Sequence, residues 1–308
     1  MSRASVSSAA VPTYSSFRRF SLKPSYSISN ARTCSTASTA ATSTTRILSG
    51  HVIPHPSVEV IGGARDVILP ALKSLHNNTY RPYPIIGWNR HAETIYAAFF
   101  RTLPDVKLRR ECLRTRDDGS VALDWVSGDD SLPPDCPVLI LLPGLTGGSE
   151  DSYVRHMLVR AKNKGWRVVV FNSRGCGNSP VTTPQFYSAS FLGDIHEVVA
   201  HVGNCYPTAN LYAVGWSLGA NILVRYLGQA ANDPIAPSRG IPHKDIEENP
   251  NCLLIVTPQG GHLGWLAGSE APNGAPWTDP IVMDFLQHLE QAKSTTHLES
   301  VNDSIVNL

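Results

Sequence analysis

Leu211-Tyr212-Ala213-Val214-Gly215-Trp216-Ser217-Leu218-Gly219-Ala220-Asn221 reads as a short apolar strand, a sharp turn carrying a serine and the start of a helix. Gly-x-Ser-x-Gly alone is a weak signal. Its context here gives it weight, because Tyr212 to Val214 supply a buried strand and Asn221 to Leu227 a helical run. Glycines at 215 and 219 let strand and helix approach closely around a strained turn. The stretch is read as a nucleophile elbow that presents Ser217 at the edge of a sheet.

Upstream, Val106 to Arg114 and Val121 to Val126 are β-prone runs separated by Asp117-Asp118-Gly119, a hairpin signal, so two antiparallel strands are expected. Val138 to Leu142 is a continuous apolar run suited to a parallel strand covered on both faces. It ends in Pro143-Gly144-Leu145-Thr146-Gly147-Gly148, where backbone N–H groups can face a developing oxyanion. Leu145 is the first choice of donor there, with Thr146 next. Leu218, just after the serine, is the second donor expected of such a site. The loop lacks the Gly-Lys-Ser/Thr ending of a phosphate loop and the spacing of a dinucleotide fingerprint. Tyr153 to Lys162 then predicts a helix, Arg167 to Phe171 a strand and Phe191 to Val202 a further helix. In the loop between the last two, Arg174 is expected to brace by hydrogen bonds and Cys176 to be a buried thiol.

A serine nucleophile needs a base, and the base needs an acid that fixes its tautomer, in the chain order serine, acid, histidine. Asp233, in Asn232-Asp233-Pro234-Ile235-Ala236-Pro237, and His262, in Gly260-Gly261-His262-Leu263-Gly264, obey that order; Asp245 and Asp279 are weaker rivals. His262 follows the strand expected over Cys252 to Thr257. The stretch from Tyr80 to His91 is too proline-rich for regular structure; its His91, beside Trp88, is read as a packed or capping residue, and Ala64 to Leu75 as a short helix.

The spacing departs from that order's usual geometry. Asp233 follows Ser217 by only 16 residues. A helix from Gly219 to Gln229 carries the chain about 16 Å from the active edge. Three further residues recover roughly 10 Å. Two strand-helix units of roughly 30 residues each are expected in between. The chain therefore reads as internally deleted near 229/230, which leaves the Leu211 strand with an unpaired edge or forces Cys252 to Thr257 to pair beside it.

From about Pro56 to Glu290 the chain resembles the α/β-hydrolases known as embryogenesis-associated proteins. These are related to acylglycerol and phospholipid lipases, short-chain esterases and fatty-acyl ethanol transferases. The matching words are Gly87-Trp88-Asn89-Arg90-His91, Leu142 to Gly148, Asn172-Ser173-Arg174-Gly175-Cys176-Gly177, Gly215 to Asn221, Asn232 to Pro237 and Gly260 to Gly264. The resemblance implies an α/β-hydrolase fold, a mostly parallel sheet flanked by helices, here lacking the lid and one or two central strands. It also implies a Ser217, Asp233, His262 triad acting on carboxylic esters, without cofactor or metal. The same triad serves an acyltransferase, and a catalytically impaired truncated isoform is the rival from another class.

Residues 1–58 hold no Asp or Glu, six basic residues and many Ser, Thr and Ala, the composition of an organellar transit peptide. Chloroplast is the expected compartment, mitochondrion the alternative. Residues 59–105 are read as an N-terminal extension and 106–308 as the hydrolase domain. With net charge +1 and 42% apolar residues, nothing suggests a nucleic-acid partner. No apolar run reaches the roughly 18 residues a spanning helix requires, and peripheral membrane contact is left open. The six cysteines show no zinc spacing and no disulfide framework.

Overall fold

A computed structural model of the chain describes residues 58–77, 80–230, 243–249, 251–257 and 260–306. The transit-peptide reading of residues 1–58 and the acid Asp233 thus lie outside the described residues, Val58 excepted.

The elements are β1 (Glu59–Ile61), α1 (Arg65–Ile68), α2 (Lys73–Asn77), α3 (Arg90–Phe99), β2 (Leu108–Arg114), β3 (Ser120–Val126), β4 (Val138–Leu142) and α4 (Ser152–Asn163). Then follow β5 (Arg167–Asn172), α5 (Gly193–Cys205), β6 (Leu211–Gly215), α6 (Leu218–Ala230), α7 (His243–Glu248), β7 (Leu254–Val256) and α8 (Thr278–Val306). Five strands form a mixed sheet in the order β2-β3-β5-β4-β6. The hairpin β2-β3 and the pair β3-β5 are antiparallel, whereas β4 lies parallel to both β5 and β6.

The period-two side-chain alternation divides each central strand between two cores. Leu139, Leu141, Val168, Val170 and Tyr212 pack with Met157 and Leu158 of α4 and Met283 and Leu286 of α8. On the opposite face Val138, Ile140, Leu142, Val169 and Phe171 pack with Ile195 and Val198 of α5 and Ile222 of α6. Such a fully buried aliphatic side chain contributes about 1.5–3 kcal/mol. The sheet is therefore fixed from both sides, and the loops at the C-terminal ends of β4, β5 and β6 inherit that rigidity.

Two expectations are corrected. The helix expected over Ala64 to Leu75 is broken into α1, a 3-10 turn over Leu69–Ala71 and α2, because Pro70 cannot donate within a continuing helix. The proline-rich stretch after Tyr80 turns into α3 at Arg90, and His91 lies in its first turn, exposed. There Asn89 caps the helix, its Oδ1 accepting from His91 N at 2.9 Å and Ala92 N at 3.2 Å. Of the two outcomes expected for the Leu211 strand, the unpaired edge is the one found: β7 does not pair beside β6 but runs antiparallel to β1 in a separate two-stranded sheet, Glu59 opposite Val256. Among the described residues β6 is an edge strand, and α6 continues unshortened to Ala230. A third core joins Ala64, Ile68, Leu72 and Tyr80 to Ala267, Trp277 and Ile281, so the residues before β2 and those after β7 fold together. Leu266 and Trp277 are accordingly buried.

Candidate active site

Ser217 stands between β6 and α6 with φ +50°, exposed. A non-glycine residue in that left-handed region is uncommon and carries strain of order 1–3 kcal/mol. Three backbone bonds hold the turn, Trp216 N to Leu142 O at 3.1 Å, Gly219 N to Trp216 O at 2.8 Å and Asn221 N to Ser217 O at 3.0 Å. The glycine requirement is visible in the spacing. A Cβ on Gly219 would lie 2.2 Å from Leu142 O, and one on Gly215 would lie 2.6 Å from Ala220 N. Among the described residues Leu218 N–H has no acceptor.

The loop after β4 faces this turn. Gly144 is so close that a Cβ there would come within 3.4 Å of Ser217 Cβ. Its N–H donates to Tyr153 Oη at 3.0 Å, and the Tyr153 ring meets Trp216 edge-on at 5.1 Å. Asp151 Oδ2 accepts from Gly148 N at 2.9 Å. Thr146, with φ +61°, donates its N–H to Tyr187 Oη at 3.0 Å. Of the two loop donors expected, Thr146 N–H is thus engaged, whereas Leu145 N–H has no acceptor among the described residues. Tyr153, Asp151 and Tyr187 give no sequence-local sign of this role. Further back, Asp124 is held below the usual carboxylate range: burial raises its pKa, but hydrogen bonds from Arg110, Ser149 and Asn172 outweigh that. Because Asn172 Oδ1 also accepts from Ser149 N at 2.9 Å, the loops after β4 and β5 are tied to one another.

His262 is exposed, on a loop that α3 grips. Thr94 Oγ1 accepts from His262 N at 2.8 Å. Glu93, fully buried, accepts from Leu266 N through Oε1, and burial pushes its pKa up against that bond. Arg101 donates to Leu263 O at 3.2 Å and to Gly264 O. Thr94, Glu93 and Arg101 are site-shaping residues missed from the sequence; the Asn89 cap is the signal that could have placed them on a helix.

His262 and the Leu145-Thr146-Gly147 loop line one cavity of about 280 Å³, together with Thr94, Ala98 and Tyr153. His262 also borders a larger cavity of about 840 Å³ with Trp88, Arg90, His91 and Trp265. Among the described residues no hydrogen bond joins Ser217 to His262, and no cluster of three His, Cys, Asp or Glu side chains suits a metal. The structure thus brings Leu145, Thr146 and His262 to one cavity and sets Ser217 against the same loop at Gly144.

The rival acid Asp279 is buried at the start of α8, and burial pushes its pKa up to about 8 against the opposing pull of Arg160 and Arg101. It lines neither cavity around His262. Between about pH 4 and pH 8 the native chain holds a proton that the unfolded chain has released. Stability therefore falls as pH rises through that window, by at most about 1.4 kcal/mol per pH unit. Asp279→Asn is expected to flatten this slope in thermal melts taken from pH 5 to 8.5; parallel slopes for the two proteins would refute the assignment.

A serine on a strained strand-to-helix turn, opposed by a glycine loop at the end of the neighbouring parallel strand, defines the α/β-hydrolases. The family model described as the alpha/beta hydrolase fold matches residues 137–239. Embryogenesis-associated protein EMB8 of Picea glauca is 42% identical over 368 aligned positions, covering 80% of each chain. The chain belongs to this embryogenesis-associated family of α/β-hydrolases. Phospholipase ABHD3 of Homo sapiens is 37% identical over 152 residues, 48% of this chain and 37% of that protein. Monoacylglycerol lipase of Saccharomyces cerevisiae is 41% identical over 97 residues, 31% of this chain and 22% of that protein. Since 80% of a 308-residue chain is about 246 residues, roughly 120 of the 368 positions aligned with EMB8 have no counterpart here, which fits an internal deletion.

Proposed function

We propose that the chain is a serine carboxylic-ester hydrolase of the acylglycerol lipase or carboxylesterase type, acting on lipid or short-chain acyl esters through an acyl-enzyme. The observation that carries the reading is the left-handed Ser217 at its elbow, beside two N–H groups, Leu218 and Leu145, that have no acceptor among the described residues. His262 takes the Ser217 proton as Oγ attacks the ester carbonyl, and the two N–H groups receive the oxyanion. His262 then gives that proton to the leaving alcohol, and water attacks the acyl-serine. Asp233 is the orienting acid in this scheme. An alcohol in place of water makes the same site an acyltransferase. The relatives named phospholipase and monoacylglycerol lipase support a lipid ester.

A second reading is favoured by the edge of β6, unpaired among the described residues, and the roughly 120 missing positions: a truncated, catalytically impaired isoform, deleted near 229/230. A fluorophosphonate probe separates the two. Labelling that vanishes in Ser217→Ala supports catalysis, whereas a cooperatively folded but unlabelled chain supports impairment. Sequencing transcripts across codons 229 and 230 tests the deletion, which an uninterrupted genomic exon would exclude.

A further inference from the structure

α3 carries its polarity inside out. Its inward positions hold Glu93, Thr94 and Ala97, while Ile95 and Phe99, four residues apart, stand on the outer face. Also exposed in the flanking segments are Ile85, Trp88, Phe100 and Leu103, with Trp88 at 73% and Phe99 at 78%. Leu145, 66% exposed, lies across the smaller cavity from Ala98, so the apolar surface flanks the candidate site on both banks. A surface helix ordinarily turns such residues to the core, and a contiguous exposed apolar patch marks a contact surface.

Two observations say what the surface meets. From Tyr80 to Pro104 the only carboxylate is Glu93, which is fully buried, whereas Arg81, Arg90 and His91 are exposed. This stretch therefore presents apolar and cationic side chains and no exposed carboxylate of its own, the exposed Asp105 and Glu150 lying just beyond it and beyond Leu145. Trp88 is held outward by its own turn, Nε1 donating to Ile85 O at 2.8 Å while Gly87 N donates to Tyr83 O at 2.7 Å. An indole whose N–H is already satisfied enters lipid without leaving a donor unpaired.

We propose that the outer face of α3, the Ile85–Trp88 turn and Leu145 form a docking surface for an anionic lipid bilayer. The apolar side chains enter the acyl boundary, and Arg81 and Arg90 meet the headgroups. Docked in this way, the cavity shared by His262 and Leu145 opens at the membrane, a consequence that rests on the ester-hydrolase reading above.

The test uses the full chain carrying Ser217→Ala, so that turnover cannot alter the lipid, and vesicles of phosphatidylcholine with and without 30% phosphatidylserine. Binding is read by co-sedimentation and by the emission shift of Trp88, with Trp88→Phe as the spectral control. The anionic vesicles are expected to bind more tightly, with affinity falling as salt rises. Ile95→Glu with Phe99→Glu is expected to weaken binding about 100-fold, roughly tenfold for each apolar anchor. Arg81→Glu with Arg90→Glu is expected to abolish only the preference for anionic vesicles. Because these side chains are exposed, the variants should melt like the parent, and melts confirm that each is folded. No vesicle binding, or equal binding by the Ile95/Phe99 variant, overturns the proposal, as does a surface occupied by self-association that this variant disperses without changing vesicle affinity. Vesicle binding by the Ser217→Ala chain, where the parent with Ser217 intact is not labelled by the fluorophosphonate, defeats the hydrolase reading alone, and labelling of the parent without vesicle binding defeats the docking surface alone.

Discussion

Ser217→Ala is expected to lower ester turnover by about 10⁴- to 10⁶-fold while leaving KM within a few-fold of its starting value. In the proposed mechanism Ser217 Oγ bonds the acyl group, so removing it removes the covalent route and not merely one contact. The proposed oxyanion donors at Leu218 and Leu145 stay in place and should leave a residual of about 10³-fold over water. The fold is a fair control, because alanine keeps a Cβ at the same φ of +50° and Ser217 is exposed. The variant should therefore melt at the parent's temperature. Turnover within tenfold of the parent would remove Ser217 from the mechanism.

The largest stability effect is expected at Arg174, in the loop between β5 and α5. Its guanidinium is 1% exposed and reaches Asp194 at 2.6 Å and 2.9 Å, Asp117 at 2.6 Å and 2.8 Å, Thr183 at 2.9 Å and Thr115 at 3.1 Å. Burial pushes the Asp194 pKa up, and Arg174 is the charge that opposes it. Arg174→Met deletes that charge and strands a buried carboxylate, which costs about 3–5 kcal/mol. In a domain of this size that corresponds to a fall in Tm of roughly 10 °C. Adding Asp194→Asn should restore part of the loss, since no lone buried charge then remains. A single variant that loses under 1 kcal/mol, or a double variant less stable than the single, would contradict this account.

The elements that set up the elbow were legible because each carries its own local sign. The β2-β3 hairpin has Asp117-Asp118-Gly119, β4 is a continuous apolar run, and Gly215 and Gly219 bracket the serine. The bracing by Arg174 and the burial of Cys176 followed from a loop dense in turn formers. α3 was missed for a physical reason: Pro82, Pro84 and Gly87 punctuate the stretch before it, and its apolar residues face outward, so the pattern does not point to a core. The grip on His262 was equally hidden. Thr94 and His262 are 168 residues apart, and no spacing rule connects them. The partner of β7 was invisible too, since a three-residue strand with no patterned neighbour fixes no register.

The small sheet of β1 and β7 sets an order of assembly. Glu59 meets Val256 across 197 residues, a closure that costs about 5 kcal/mol in chain entropy before any contact repays it. The β2-β3 hairpin and the units that join β4, β5 and β6 close over far shorter spans, so they are free to form first. During synthesis Ser217 and its glycine loop can therefore assemble while β7 is still unmade. The loop carrying His262 docks onto α3 only after the sheet through β6 and the helix α6 have emerged, and the candidate base is the last piece of the site to arrive.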